Sequence, residues 1–273
     1  MVYYAQSGHP GGSLGCADYM TALYFGVMDQ KKKFNMSGKG EDMFVLSNGH
    51  ISPVFYSVLA HKGYFPLEEL STFRRLNSRL QGHPTTHEGL PGVRIASGSL
   101  GQGLSVGVGM ALGKKITNDD HHVFVLTGDG ELDEGQIWEA LLFAPFHQLD
   151  NLTVTIDWNG QQIDGPTDKV LNLGDLPKKF ESFGWRTIVV DGNDMKEILN
   201  ALQKSKKHRG SGIPTAILMK TVMGKGVDFM EGHHEWHGIA PNKDQLNSAL
   251  AQLKETLGDY SYNAQYHVDI KKH

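Results

Sequence analysis

Apolar positions along this chain change their period twice. Through the first third they fall at helical spacing between loops rich in Gly and His. That pattern predicts a helix from Leu14 to about Met28 capped by Ser13, a second from about Ser52 to His61 that stops at Gly63, and a third opened by Pro66 and running through Arg74. After Gly98 the segment SLGQGLSVGVGMALGKKI reads as a helix with glycines at 101, 103, 107, 109 and 113. Each such glycine weakens an isolated helix by up to about 1 kcal/mol relative to Ala. Small residues recurring on a helix let another backbone come close, so this helix is expected to be buried against a sheet or a second subunit.

The second change brings short apolar runs that alternate with helical patterns. Val123 to Thr127 reads as a strand, Glu134 to Leu149 as a helix, and Leu152 to Trp158 as a second strand. Strands at Arg186 to Val190 and Thr215 to Lys220 flank a helix from about Asp194 to Lys206, and an amphipathic helix lies around Lys243 to Leu257. Strands separated by helices imply an α/β fold, with a mostly parallel sheet flanked by helices on both faces. No internal repeat, low-complexity tract or linker interrupts it.

Composition narrows the function classes. Lys plus Arg number 26 against 30 for Asp plus Glu, a formal net charge of -4 without a dominant basic block, which argues against a nucleic-acid partner. The cluster Lys204, Lys206, Lys207, His208 and Arg209 is expected to be a solvated helix end. Cys16 is the only cysteine, so internal disulfides and cysteine-built zinc sites are excluded and a reducing cytoplasm fits. No run approaches the roughly 18 apolar residues that span a bilayer, and no signal-peptide pattern opens the chain, so membrane insertion and secretion are disfavoured.

The chemistry concentrates in GDGELDEG, Gly128 to Gly135, and WNGQQIDG, Trp158 to Gly165. Asp129 and Asn159 stand 30 residues apart, one strand-helix-strand unit. A helix of that unit returns about 24 Å along the sheet and the next strand covers about 20 Å the other way, so both residues emerge at the carboxyl edge, where doubly wound sheets bind ligands. An Asp carboxylate, an Asn amide oxygen and a carbonyl from the turn after Asn159 are hard oxygen ligands suited to Mg²⁺ or Ca²⁺, with diphosphate oxygens and water completing the shell. Gly128 and Gly130 let backbone approach a phosphate, and the following helix N-terminus favours negative charge.

With these residues in place the chain resembles transketolase. GDG with its downstream Asn is similar to the thiamine diphosphate motif. SGHPGG at Ser7 to Gly12, LSNGH at Leu46 to His50, GHP at Gly82 to Pro84 and LGQG at Leu100 to Gly103 stand in family order and at family-like spacing, over about Tyr4 to Pro241. The resemblance implies a three-layer thiamine diphosphate-binding fold forming one domain over residues 1–273, with the pyrimidine and C-terminal domains absent. It implies metal binding by Asp129, Asn159 and the carbonyl of Gln161, and cofactor binding by His50, Gly98, Leu100, Asp129, Gly130 and Asn159. Glu134 matches a family carboxylate at the dimer contact and is grouped with the cofactor set. His9, His83 and His237 match histidines around the reacting sugar, and His234 another near that edge. Gln161 stands where the family often has Ile, a swap that a carbonyl ligand tolerates.

Of the 14 histidines, His61, His121, His122, His147, His208, His267 and His273 have no motif around them and read as surface or helix-end residues. A zinc hydrolase is a competing reading, since His233, His234, Glu235 and His237 cluster. Their spacing departs from His-Glu-x-x-His, however, and Gly232 and Gly238 favour a loop there. The activating acid of thiamine enzymes lies on the pyrimidine domain. The resemblance therefore implies the N-terminal subunit of a split transketolase that transfers a ketol unit between sugar phosphates, with a C-terminal partner chain and self-association. Only six residues precede Ser7, fewer than family members carry, so Met1 is expected to mark either a shortened product or a misassigned start. The equivalent half of another thiamine enzyme (an unusual-sugar ketolase or a deoxyxylulose phosphate synthase) and a non-catalytic, partner-binding half remain alternatives.

Overall fold

Short apolar runs define the sheet of this protein, whose computed structural model describes residues 1–31 and 33–253. Strands β1 (Met43–Leu46), β2 (Val123–Gly128) and β3 (Leu152–Asp157) pair in parallel. A two-residue antiparallel ribbon, β4 (Gln161–Gln162) with β5 (Gly165–Pro166), follows β3, and β6 (Arg186–Asp191) and β7 (Thr215–Lys220) complete a five-stranded parallel sheet in the order β1-β2-β3-β7-β6.

The helices in chain order are α1 (Val2–Ala5), α2 (Pro10–Gly15), α3 (Ala17–Thr21), α4 (Ser52–His61), α5 (Gln102–Ile116), α6 (Gly135–Phe146), α7 (Thr167–Val170), α8 (Leu176–Ser182), α9 (Met195–Lys207) and α10 (Lys243–Gln252). Because side chains alternate along a strand, each strand feeds two cores. Phe44, Leu46, Phe124, Leu126, Ile217 and Met219 pack with α3, α4 and α9, while Met43, Val45, Val123, Val125, Ala216 and Leu218 pack with α5, α6 and α8. The result is three layers, helices on both faces of a parallel sheet, as the strand-helix alternation predicts.

The first third departs from its pattern. The opening helix begins at Pro10, not Leu14, and Ser13 caps nothing: its hydroxyl donates to the His9 carbonyl four residues back at 2.7 Å. Proline is pre-set for the first helical position and has no N–H to leave unpaired, so the helix can start there without a side-chain cap. Further on, the helix resumes as α3 and passes into a π-helical segment over Ala22–Val27. The element after Pro66 is a short 3₁₀ helix, Leu67–Thr72, closed before Arg74, which adopts a left-handed φ of 57°. Strand β1 has no counterpart in the sequence reading; four apolar residues are too few to display a period.

Helix α5 has two kinds of glycine. A Cβ on Gly103 would overlap Ser47 and one on Gly107 would overlap Val125 of β2, whereas Gly109 and Gly113 face open space. Close approach to the sheet therefore accounts for only part of the glycine content. Gly107→Ala is expected to cost about 1–3 kcal/mol by forcing α5 off the sheet, and Gly109→Ala to gain up to about 1 kcal/mol in the isolated chain. Urea denaturation of both variants checks this, and a neutral Gly107→Ala would remove the close-approach argument.

The basic end of α9 is only partly solvated. Lys206 pairs at 2.6 Å with the buried carboxylate of Asp42, and Arg209 reaches Asp120 at 2.8 Å. Helix α10 opens on a capping box made by Asn242 and Gln245; its expected end at Leu257 lies outside the described residues. Among the described residues no helix is long and apolar enough to cross a membrane.

Candidate cofactor and metal site at the carboxyl edge

The register of β2 and β3 sets Gly128 opposite Asp157, so Asp129 and Asn159 leave the sheet at the same edge. Asp129 is buried, and its carboxylate joins the two loops, accepting from the backbone N–H of Gly130 at 2.8 Å and of Gly160 at 2.6 Å. Asn159 is oriented from both ends: Oδ1 accepts from the Gln161 N–H at 2.8 Å, and Nδ2 donates to Asp157 Oδ2 at 2.9 Å. Between Asn159 and Gln161 the chain turns at Gly160 with φ 72°, a conformation that favours glycine. Asp129, Asn159 and Gln161 all line one cleft of about 250 Å³.

Asp129 and Asp157, both buried at this edge, accept hydrogen bonds from neutral donors, the Gly130 and Gly160 N–H groups for Asp129 and the Asn159 amide and Thr221 hydroxyl for Asp157. Burial, and then the neighbouring Asp157 charge, pushes Asp129 up to about 7, and burial likewise raises Asp157. Hard oxygen donors around buried negative charge fit a divalent cation bridging to phosphate oxygens. Asp157 escaped the sequence reading, although its position at the last residue of β3, two before Asn159, was a usable signal. Glu131 escaped too. Its buried carboxylate accepts from Ser47 Oγ, from the Gly101 N–H at 2.8 Å and from the Gly128 N–H at 3.1 Å, tying together the ends of β1 and β2 and the start of α5. Its place among four acids in GDGELDEG, just before an apolar residue, was its only sequence signal.

Across the cleft stand four histidines. The ring centroid of His9 lies 5.0 Å from that of His50, 6.2 Å from His83 and 5.4 Å from His237, and His50 lies 4.9 Å from His237. Glycines make this crowding possible. Gly11 in α2 approaches so closely that a Cβ there would stand 2.8 Å from the Trp236 carbonyl oxygen, and a Cβ on Gly98, at φ 121°, would meet the His83 ring at 2.6 Å. Burial lowers His9 to about 4, helped by the charges of His237, Arg74 and His83, and burial also lowers His50, His83 and His237. All four are therefore neutral near pH 7 and can accept a proton.

Gly98, Leu100 and Gly130 line the same cleft; His234 and Glu134 do not. His234 sits in the short 3₁₀ turn His234–His237 with Nε2 3.8 Å from Glu235. Three-residue spacing in this turn brings only His237 to the cleft. Glu134 is exposed at the N-cap of α6 beside Gly101, apart from the cofactor residues it was grouped with. Among the described residues no group of three or more His, Cys, Asp or Glu side chains is placed to hold a metal ion between them.

Comparison with known proteins bears on the same edge. The family model for the thiamine diphosphate-binding domain of transketolase matches residues 1–271. The chain is 37% identical over 265 residues to one of the subunits of the apulose-4-phosphate transketolase of Phocaeicola vulgatus, covering 94% of this chain and 90% of that one. It is 40% identical over 248 residues to the 6-deoxy-6-sulfo-D-fructose transketolase subunit SqwG of a Clostridium species, covering 91% and 89%. The crystal structure of transketolase from Campylobacter jejuni superimposes with a TM-score of 0.84 at 35% identity, over 92% of this chain and 40% of that one.

Proposed function

The chain belongs to the transketolase family through its thiamine diphosphate-binding domain, and from that premise we propose that it is the cofactor-holding subunit of a two-chain transketolase. The activity is transfer of a two-carbon ketol unit from a ketose phosphate to an aldose phosphate. One observation carries the reading: the ligand set of Asp129, Asn159 and Gln161 shares a single cleft with the neutral imidazoles of His9, His50, His83 and His237.

Asp129, the Asn159 amide oxygen and the Gln161 carbonyl would hold Mg²⁺ or Ca²⁺, with Gly98, Leu100, Gly130 and His50 against the cofactor. When bound, thiamine diphosphate supplies the nucleophilic carbon that takes up the ketol unit. His9, His83 and His237 serve the substrate. A neutral imidazole accepts the proton of a donor hydroxyl and, once protonated, stabilises a developing oxyanion, each worth about 10² to 10⁴ in rate.

The pyrimidine-binding domain and its activating acid come from a second chain. Relatives named as transketolase subunits support this. Self-association of this chain completes the assembly, and a free, buried Cys16 accords with a reducing cytoplasm.

His9→Ala, His83→Ala and His237→Ala, each assayed with the partner present, are expected to keep cofactor affinity and to lose about 10²-fold or more in turnover. A coupled ketol-transfer assay run beside a cofactor titration checks this. Undiminished turnover in all three would remove the substrate role. The relatives' names also favour a second reading, a ketolase for an unusual sugar. Comparing xylulose 5-phosphate, apulose 4-phosphate and 6-deoxy-6-sulfofructose as donors separates the two.

A further inference from the structure

Asn48 follows the last residues of β1 and is fully buried, yet neither its Oδ1 nor its Nδ2 has a hydrogen-bond partner in the protein. It stands at the N-cap of the 3₁₀ turn Gly49–Ile51 without capping it; its backbone carbonyl alone serves the turn, accepting from the Ile51 N–H at 3.1 Å. A buried carboxamide with every side-chain bond unmade is unfavourable, and such groups are retained where something else completes them.

The surroundings say what that is. Asn48 lines the cleft beside Gly128, Asp129, Gly130 and His50, and a Cβ on Gly128 would stand 3.9 Å from the Asn48 Cβ. The carboxamide therefore lies against the turn that delivers Asp129, the first of the residues read as metal ligands. A diphosphate bound through a cation at Asp129 would lie at this end of the cleft. A carboxamide there offers an N–H donor that carries no charge and persists at any pH.

We propose that Asn48 is a further binding residue for the diphosphate group, its Nδ2 donating to a phosphate oxygen. The inference rests on the reading of this cleft as a thiamine diphosphate site. It implies that Asn48 stabilises the loaded protein at the expense of the empty one, a signature that a purely structural asparagine lacks.

The test uses the purified full chain with two replacements. Asn48→Leu keeps the volume and removes both polar atoms, and Asn48→Asp keeps the shape and adds a charge that repels phosphate. Thermal unfolding is recorded without metal or phosphate, and calorimetric titrations use inorganic diphosphate with Mg²⁺ and then thiamine diphosphate with Mg²⁺. The expected result is an unfolding midpoint for Asn48→Leu at or above that of the wild type, with affinity for both probes reduced about tenfold or more. Asn48→Asp is expected to bind more weakly still.

A midpoint several degrees lower in Asn48→Leu would overturn the proposal, because the amide would then be bonded within the folded chain. Wild-type affinity in both variants would also overturn it, a trapped water then serving the amide. A wild-type chain that takes up neither probe would overturn the diphosphate reading of the cleft itself, and this inference with it.

Discussion

Asp129→Ala is expected to abolish Mg²⁺-dependent binding of thiamine diphosphate by the assembled enzyme, weakening it by more than about a hundredfold, while the fold survives. The size of the effect comes from the side chain's two tasks. It supplies an anionic ligand, and it holds the loops after β2 and β3 together through the Gly130 and Gly160 N–H groups. Loss of a group that only orients a metal ligand already costs about 10–100-fold in affinity. Asn159→Ala should behave alike, because it removes a ligand and also strips Asp157 Oδ2 of its donor. Cofactor titration with and without Mg²⁺, with circular dichroism as the folding control, measures both. Wild-type affinity in either variant would remove that residue from the metal site.

The purified chain is expected to show no ketol transfer alone and to gain at least about 10²-fold in turnover with a chain that supplies the activating acid. Its outer surface supports this. Phe146 is 82% exposed and Leu142 62% exposed on α6. That is apolar area in need of cover. Light scattering should show a larger assembly when both chains are present. Robust turnover by the chain alone, absent from an identically prepared Asp129→Ala control, would overturn the two-chain reading.

The strands of the second half were legible because each is long enough to show its apolar run, and β6 is followed by a capped helix. Asp194 accepts from the N–H groups of Lys196 and Glu197 at the start of α9. The first third was harder to read. Helix α4 matches its expected span, Ser52–His61, but the other helices are short, π-helical or 3₁₀, and β1 ends in the first residue of LSNGH. Asp129, Asn159, His9, His50, His83 and His237, which line one cleft, sit in loops that glycine and proline mark in the sequence. Asp157 and Glu131 stayed hidden because they act through long-range bonds, to Thr221 and to Ser47 and Gly101, that local spacing does not encode. His234 and Glu134, expected there by motif, do not line the cleft.

The carboxylate node at Glu131 also bears on how the protein folds. It joins Ser47, 84 positions earlier in the chain, to Gly101, 30 positions earlier, and to its neighbour Gly128. Contacts of such separation form late, after the loop-closure entropy of the intervening chain has been met. Binding competence should therefore arrive with the final cooperative transition. No excised motif, GDGELDEG included, would carry the site with it.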